Sequence, residues 1–376
     1  MVLGIVLLAC VGPSMQGQST FKLLHTFRAG NDGATPASCV TLGPGGSIYG
    51  TTQYGGPANE GTVYYISPGG WEKVLHSFSG GADGTIPVAS LVELGGNFYG
   101  VTSEGGASDS GIIFKVDPAG GETVVHTFTG TDGDGSFPYG TMIRDQLGNL
   151  YGTTTLAGPA YYGVVYRLDP TGTLTELYSF TGGLDGSLPY GKLVRDAAGN
   201  LYGTTDFGGT YNLGVLFKLD PFGVETVVHD FAGTANGDGA FPITDLIQDS
   251  MGNLYGTAQG GSASNGIVFK VDTEGNERVL YNFTGGATDG GFASKSIILD
   301  GSGNIYGTVS TGGSFGRGGV FKLDASGNET LLYSFAESQG SSNGVGVVRD
   351  SAGNLYGTTA NDRHNNFGTV YELTFP

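Results

Sequence analysis

Apolar and polar residues alternate along this chain in short runs and never settle into the 3.6-residue period of an amphipathic helix. One stretch reads Lys192-Leu193-Val194-Arg195, then Asn200 to Thr205, then Gly214 to Leu219, then Glu225 to Phe231. The runs are rich in Val, Leu, Tyr, Phe and Thr and are bounded by Gly, Asp, Asn or Pro, the marks of β-strands joined by tight turns. Asp196-Ala197-Ala198-Gly199-Asn200 and Asp220-Pro221-Phe222-Gly223 are two such turns. Strands are therefore expected almost throughout, with no helix beyond the first apolar run.

The four runs, here labelled a to d, recur. Tyr-Gly pairs at Tyr49, Tyr99, Tyr151, Tyr202, Tyr255, Tyr306 and Tyr356 set a period of about 51 residues, in the range of a propeller blade. A His or Tyr two residues before Phe marks run d, in the pairs His25/Phe27, His76/Phe78, His126/Phe128, Tyr178/Phe180, His229/Phe231, Tyr281/Phe283 and Tyr333/Phe335. The copies are offset. The chain opens on a lone d run, Phe21 to Phe27, and ends on a c run, Gly368 to Leu373, that lacks its d. The fold predicted is all-β: a seven-bladed β-propeller of four-stranded antiparallel blades, closed because the N-terminal strand completes the last blade. Closure removes exposed sheet edges, whereas an open stack would need polar capping repeats. Burial of Phe21, Leu23 or Leu24, and Phe27 is expected to hold the joint.

The pattern Gly-Asn-Leu-Tyr-Gly-Thr-Thr, then Gly-Gly, then Gly-x-Val-Phe-Lys-Leu-Asp, seen for example from Gly199 to Asp220, resembles the Gloeo/Verruco ("GloVer") tandem repeat of exported bacterial proteins. More distantly, Asp-x-x-Gly-Asn-Leu-Tyr looks like NHL-type propeller repeats. The resemblance spans nearly the whole chain after the N-terminal run. It implies extracellular display, often with an anchoring segment at one end, although none is read before Pro376. It brings no enzymatic role and no catalytic residues.

Composition narrows the partners. Of 376 residues only 16 are Lys or Arg against 34 Asp or Glu, too few and too scattered for a nucleic-acid surface or an anionic membrane. The 72 glycines fall at fixed places between apolar runs and read as turns. Val2 to Ala9 is apolar and is followed by Gly12, Ser14, Gly17 and Ser19, like a secretory signal and its cleavage region. Residues 1–19 are thus read as a signal and 20–376 as one propeller domain. No Lys or Arg precedes the apolar run, so a start upstream of Met1 is one reading. Leu7-Leu8-Ala9-Cys10 resembles a lipoprotein box, with Cys10 as lipid anchor; ordinary cleavage further on is the other reading. Cys39 is the remaining cysteine, so the mature chain has no disulfide pair. An extracellular or cell-surface monomer without a transmembrane helix is expected.

Connections in such a blade alternate between faces. The a–b and c–d turns are nearly identical in every copy and read as structural. The b–c loops differ from copy to copy and share the other face with the d–a loops. Function tends to sit on loops held by a rigid scaffold, so the candidate binding residues are Tyr54, Glu104, Tyr161, Tyr162, Asp206, Tyr211, Arg317, Arg363 and His364, a mixture suited to protein or glycan. The d–a loops repeat Asp-Gly-x-x-Pro at Asp32, Asp83, Asp134, Asp185 and Asp238. Asp289 lacks the Pro, and Asn343-Gly344 is the eroded seventh. Asp132, Asp134 and Asp238 are the candidate calcium ligands, although the later ligands of a calcium loop are missing; a turn that feeds the next inner strand is the plainer reading. No other cofactor is indicated.

Histidines in the d slot alternate with Tyr, which points to packing and hydrogen bonding. Only His364, beside Asp362, stands outside the pattern as a candidate acid–base pair. Gly312-Gly313-Ser314-Phe315-Gly316 matches a nucleophile elbow but lies in a b–c loop with no helix to follow. The function expected is a non-catalytic binding module for protein or glycan on the b–c/d–a face. The alternatives are an exported lyase or hydrolase with a central site, and a purely structural surface protein.

Overall fold

The computed structural model describes residues 19–36, 38–131, 133–360 and 367–375. Seven antiparallel sheets follow one another around a ring. Blade 4 shows the plan, with strand a at Val194–Arg195, b at Leu201–Thr204, c at Val215–Leu219 and d at Glu225–Asp230. Strand a is short because it lies innermost, where seven strands converge; strand d lies outermost. Blades 1 to 6 are continuous in sequence. Blade 7 takes strands Ser341–Arg349, Leu355–Ala360 and Thr369–Thr374 from the C-terminal end, and Thr20–Thr26 from the N-terminal end. Phe21 pairs with Leu373, Leu23 with Tyr371 and His25 with Val370, so the ring closes as the offset repeats predict.

The Tyr-Gly signature has a steric cause. In each blade the b-strand Gly lies opposite the c-strand aromatic, as Gly203 does Phe217 and Gly357 does Tyr371. A Cβ at any of the seven glycines would collide with that ring. The ring in turn receives the d-strand Phe of the preceding blade edge-on. Phe231 meets Phe269 with centroids 5.2 Å apart, Phe335 meets Tyr371 at 5.3 Å, and at the closing joint Phe27 meets Tyr64 at 5.1 Å. Every d-strand Phe is essentially inaccessible. The same aromatic contact thus repeats at every blade joint.

Each d strand carries a β-bulge just before its His or Tyr, as between Leu23 and His25 or Val124 and His126. The extra residue bends the strand. At the closing joint that residue, Leu24, packs among Phe27, Ile48 and Tyr64, whereas Leu23 is 49% exposed. Of the two leucines offered from the sequence, Leu24 seals the ring.

The two faces separate as expected. On one, the a–b turns of blades 3 to 7 are each tied by an Asp that accepts from the backbone and side chain of an Asn and from the b-strand Tyr hydroxyl; Asp196 does so with Asn200 and Tyr202. The c–d turns close on Asp117, Asp169, Asp220, Asp272 and Asp324 in the same way. On the other face the d–a and b–c loops pair with each other, Ala34 bridging Tyr54, Ser136 bridging Leu156 and Ser187 bridging Phe207.

Candidate functional site

The d–a aspartates are anchored in their own turns. Asp185 accepts from the Thr181 backbone N–H at 2.7 Å, from the Thr181 hydroxyl at 2.6 Å and from the Tyr178 hydroxyl at 3.0 Å. Asp134 takes the Thr129 backbone N–H at 2.8 Å, and Asp238 that of Ala232 at 2.8 Å. Asp132 lies outside the described residues. The slot that alternates between His and Tyr is explained by this carboxylate, because either ring can donate to it. His25 lies 2.9 Å from Asp32 and His229 3.0 Å from Asp238.

The seventh joint departs from expectation. Gln339 takes the aspartate's part: its Oε1 accepts from the Ala336 N–H at 2.9 Å and its Nε2 donates to the Tyr333 hydroxyl. An amide supplies both roles, so the Asp-Gly signature is lost while the turn survives. At the same joint Phe21 stacks on Tyr333 with centroids 4.7 Å apart, at the place where five other d strands begin with Glu and the third blade's with Leu174.

Those glutamates went unrecognised in the sequence, where each reads as a solvated strand residue. Glu72, Glu225, Glu277 and Glu329 are half-buried against the preceding blade, and burial pushes each carboxyl up to about 7. One oxygen of each is buried without a hydrogen-bond partner.

The predicted b–c residues spread around the rim without converging. Tyr161 is 73% exposed, and Tyr54, Tyr162 and Tyr211 are also exposed. Tyr162 lies over Gly182 of the adjoining d–a loop. Glu104 ends strand b opposite Thr85. Arg317 is committed to Glu337 at 3.0 Å. Asp206 differs: it is half-buried, and desolvation raises its carboxyl to about 6; its charge in turn helps to raise the Tyr190 phenol, after burial and Tyr139. Asp362, Arg363 and His364 lie outside the described residues.

The concave features are elsewhere. A pocket of about 450 Å³ opens where blades 5 and 6 meet on the b–c/d–a face, lined by Phe241, Ile243, Gln259, Phe292, Lys295 and Ser310 among others. Phe292 is 43% exposed, and among the described residues Lys295 forms no side-chain ion pair. A second cavity of about 460 Å³ is the central channel, lined by strand a of all seven blades. Its polar ring is asymmetric, with Cys39, Ser90, Thr141, Lys192, Asp245 and Ser296 in equivalent places. Buried Asp245 accepts from the Lys192 N–H at 2.8 Å and from the Ser296 hydroxyl at 2.8 Å, tying three inner strands together. The Cys39 thiol donates to the Val345 carbonyl at 3.0 Å, and burial followed by the charge of Asp245 pushes it up to about 11. It is a packed thiol, not a nucleophile. Aligning the copies one residue before the buried Val40, Leu91, Met142, Leu193, Leu246 and Ile297 exposes this variable ring; strand a is too short to carry a period that announces it.

A family model for the Gloeobacter/Verrucomicrobia repeat matches residues 14–134, 73–263 and 235–376. No curated protein matches the chain significantly. Among solved structures, the extracellular domain of a proposed one-component system from B. thetaiotaomicron superposes with TM-score 0.58 at 13% identity. That match covers 92% of this chain and 39% of that one, so the chain spans well under half of that neighbour's length. A gluconolactonase from Xanthomonas campestris aligns with TM-score 0.42 at 15% identity, over 74% of this chain and 90% of that one. The first of these likenesses reflects the shared propeller fold. Among the described residues no helix is long and apolar enough to cross a membrane.

Proposed function

The chain belongs to the Gloeobacter/Verrucomicrobia repeat family, and from that premise we propose that it is an exported, non-catalytic propeller that binds a glycan on its b–c/d–a face. The observation that carries this is the pocket between blades 5 and 6. It breaks the repeat symmetry on the face whose loops vary most. Phe241 and Phe292 offer apolar ring surface to a sugar, while Gln259 and Ser310 offer hydrogen-bonding groups. Lys295 supplies a positive charge in a chain of net charge −18, which favours a sugar bearing a carboxylate. Exposed Tyr161, Tyr162 and Tyr211 extend the same face for further sugar units. Export rests on the N-terminal apolar run and on the family's exported character.

The test is a glycan array on the mature protein, followed by calorimetry on the best ligand. Lys295→Ala is expected to weaken binding at least tenfold, since a lost hydrogen bond to a charged group costs about 1.5–3 kcal/mol. Tyr162→Ala is expected to weaken only longer glycans. Hits restricted to peptides, or affinity unaffected by Lys295→Ala and Phe292→Ala together, would refute the proposal.

A second reading, an exported lyase or hydrolase, draws on Asp206, whose carboxyl near 6 is poised for proton transfer. It requires turnover of a bound glycan that is abolished by Asp206→Asn.

A further inference from the structure

Two blade joints bring together more than a structural pair. His25, Asp32 and Glu72 place one nitrogen and two carboxylate oxygens within 4.8 Å of one another, and so do His229, Asp238 and Glu277. In each set the His and Asp belong to one blade's outer strand and its following loop, and the Glu opens the outer strand of the next. We propose that these two sets are sites for a divalent transition metal, with zinc as the natural occupant, and that the ion clips adjacent blades together.

Four observations support the assignment. The ligand set, one imidazole and two carboxylates, suits zinc, whereas calcium takes six to eight oxygens. The Asp carboxylates are already oriented from behind by the backbone, Asp32 by the Arg28 N–H at 2.8 Å and Asp238 by the N–H groups of Ala232 and Gly239, the support that metal ligands need. The Oε1 atoms of Glu72 and Glu277 are buried and accept no hydrogen bond, as at the other glutamate joints, but among the described residues only at these two do an imidazole nitrogen and an Asp oxygen lie close enough for one ion to be shared by all three. Finally, the set is not simply the repeat. At the joints with His76 and His126 the His–Asp separations are 3.5 and 3.4 Å, and among the described residues no triple forms there within 4.8 Å. At Tyr178 a phenol stands where the imidazole would be and bonds Asp185 directly, so the nitrogen ligand is missing there.

The two joints can be read separately, because Trp71, the single tryptophan, shares a surface cavity with His25, Asp32 and Glu72. Untagged, chelator-treated protein is titrated with Co²⁺ and Zn²⁺, following cobalt d–d absorption, calorimetric stoichiometry and quenching of Trp71 fluorescence by Co²⁺. His25→Tyr and His229→Tyr install a residue that the chain itself uses in the same slot, so the fold is preserved; melting of the metal-free variants verifies this. Each is expected to remove one equivalent of metal, and His25→Tyr alone to abolish the quenching. His76→Tyr is expected to leave stoichiometry unchanged. Absence of micromolar binding, an equivalent lost with His76→Tyr, or stoichiometry insensitive to His25→Tyr and His229→Tyr would each overturn the proposal. None of these readouts involves the pocket between blades 5 and 6.

Discussion

Phe27 offers a quantitative test of how the ring is held shut. It sits on the N-terminal strand, is fully buried, and meets Tyr64 edge-on with centroids 5.1 Å apart. Phe231 makes the corresponding contact to Phe269 at 5.2 Å, but between blades joined by continuous chain. Truncating a buried Phe to Ala costs about 3–5 kcal/mol through lost transfer free energy and the cavity left behind. If the closing joint bears the same load as the internal ones, Phe27→Ala and Phe231→Ala should destabilise alike. At roughly 2 °C per kcal/mol for a chain this large, each should lower the melting temperature by about 5–10 °C. Far-UV circular dichroism follows the sheets, and Trp71, next to the closing joint, reports local opening. Comparing midpoints avoids assuming that seven blades unfold in one step. A Phe27→Ala protein that melts within about 1 °C of wild type, while Phe231→Ala loses the full amount, would refute the reasoning.

The half-buried glutamates predict a pH dependence. Burial raises Glu72, Glu225, Glu277 and Glu329 to about 7, so the folded ring holds protons that the unfolded chain releases. Their contribution is complete below the ordinary carboxylate range and is lost as pH rises through about 7. In chelator the denaturation midpoint should therefore fall between about pH 4.5 and 7 and level off above, and the quadruple Glu→Gln variant should flatten that slope; an unchanged slope contradicts the burial argument. Gly203→Ala places a Cβ 2.6 Å from the Phe217 ring and 2.7 Å from Leu193 and should cost about 1–3 kcal/mol by overpacking, measured as a lower melting midpoint. Asp185→Ala leaves the Thr181 N–H and the Tyr178 hydroxyl without their acceptor and should cost about 1–3 kcal/mol, whereas His126→Tyr, a swap found within the chain itself, should shift stability by under about 1 kcal/mol.

Much of this fold is written in the sequence because the constraints repeat. The Tyr-Gly pairs mark where strand b must admit an aromatic ring from strand c, and the orphan d and c runs at the two ends give the closure. The Asp-Gly repeats mark turns in which each carboxylate caps its own loop, as Asp83 does with Ser79 and Asp185 with Thr181. What escaped detection lies where chemistry is conserved by a different residue or carried by irregular backbone. Gln339 does an aspartate's work with an amide, so a search for Asp-Gly passes it by and stops at Asn343. The channel residues Lys192, Asp245 and Ser296 lie just ahead of two-residue strands, too short to show alternation. The Glu at the head of five d strands looks solvated until the neighbouring blade is in place, and that neighbour is about fifty residues away in sequence. Of the residues expected from loop variability, Tyr54, Tyr161, Tyr162 and Tyr211 are exposed, but the pocket is formed by Phe241, Phe292 and Lys295 from the d–a segments, together with Gln259 near the end of a b strand.

The most direct test of the functional account is a crystal structure of the mature protein with the best carboxylated glycan from the array. The account predicts sugar density between Phe241 and Phe292, with the carboxylate within hydrogen-bonding reach of Lys295 Nζ. A ligand seated on the face of the a–b and c–d turns, or bound with the pocket between blades 5 and 6 left empty, would contradict it.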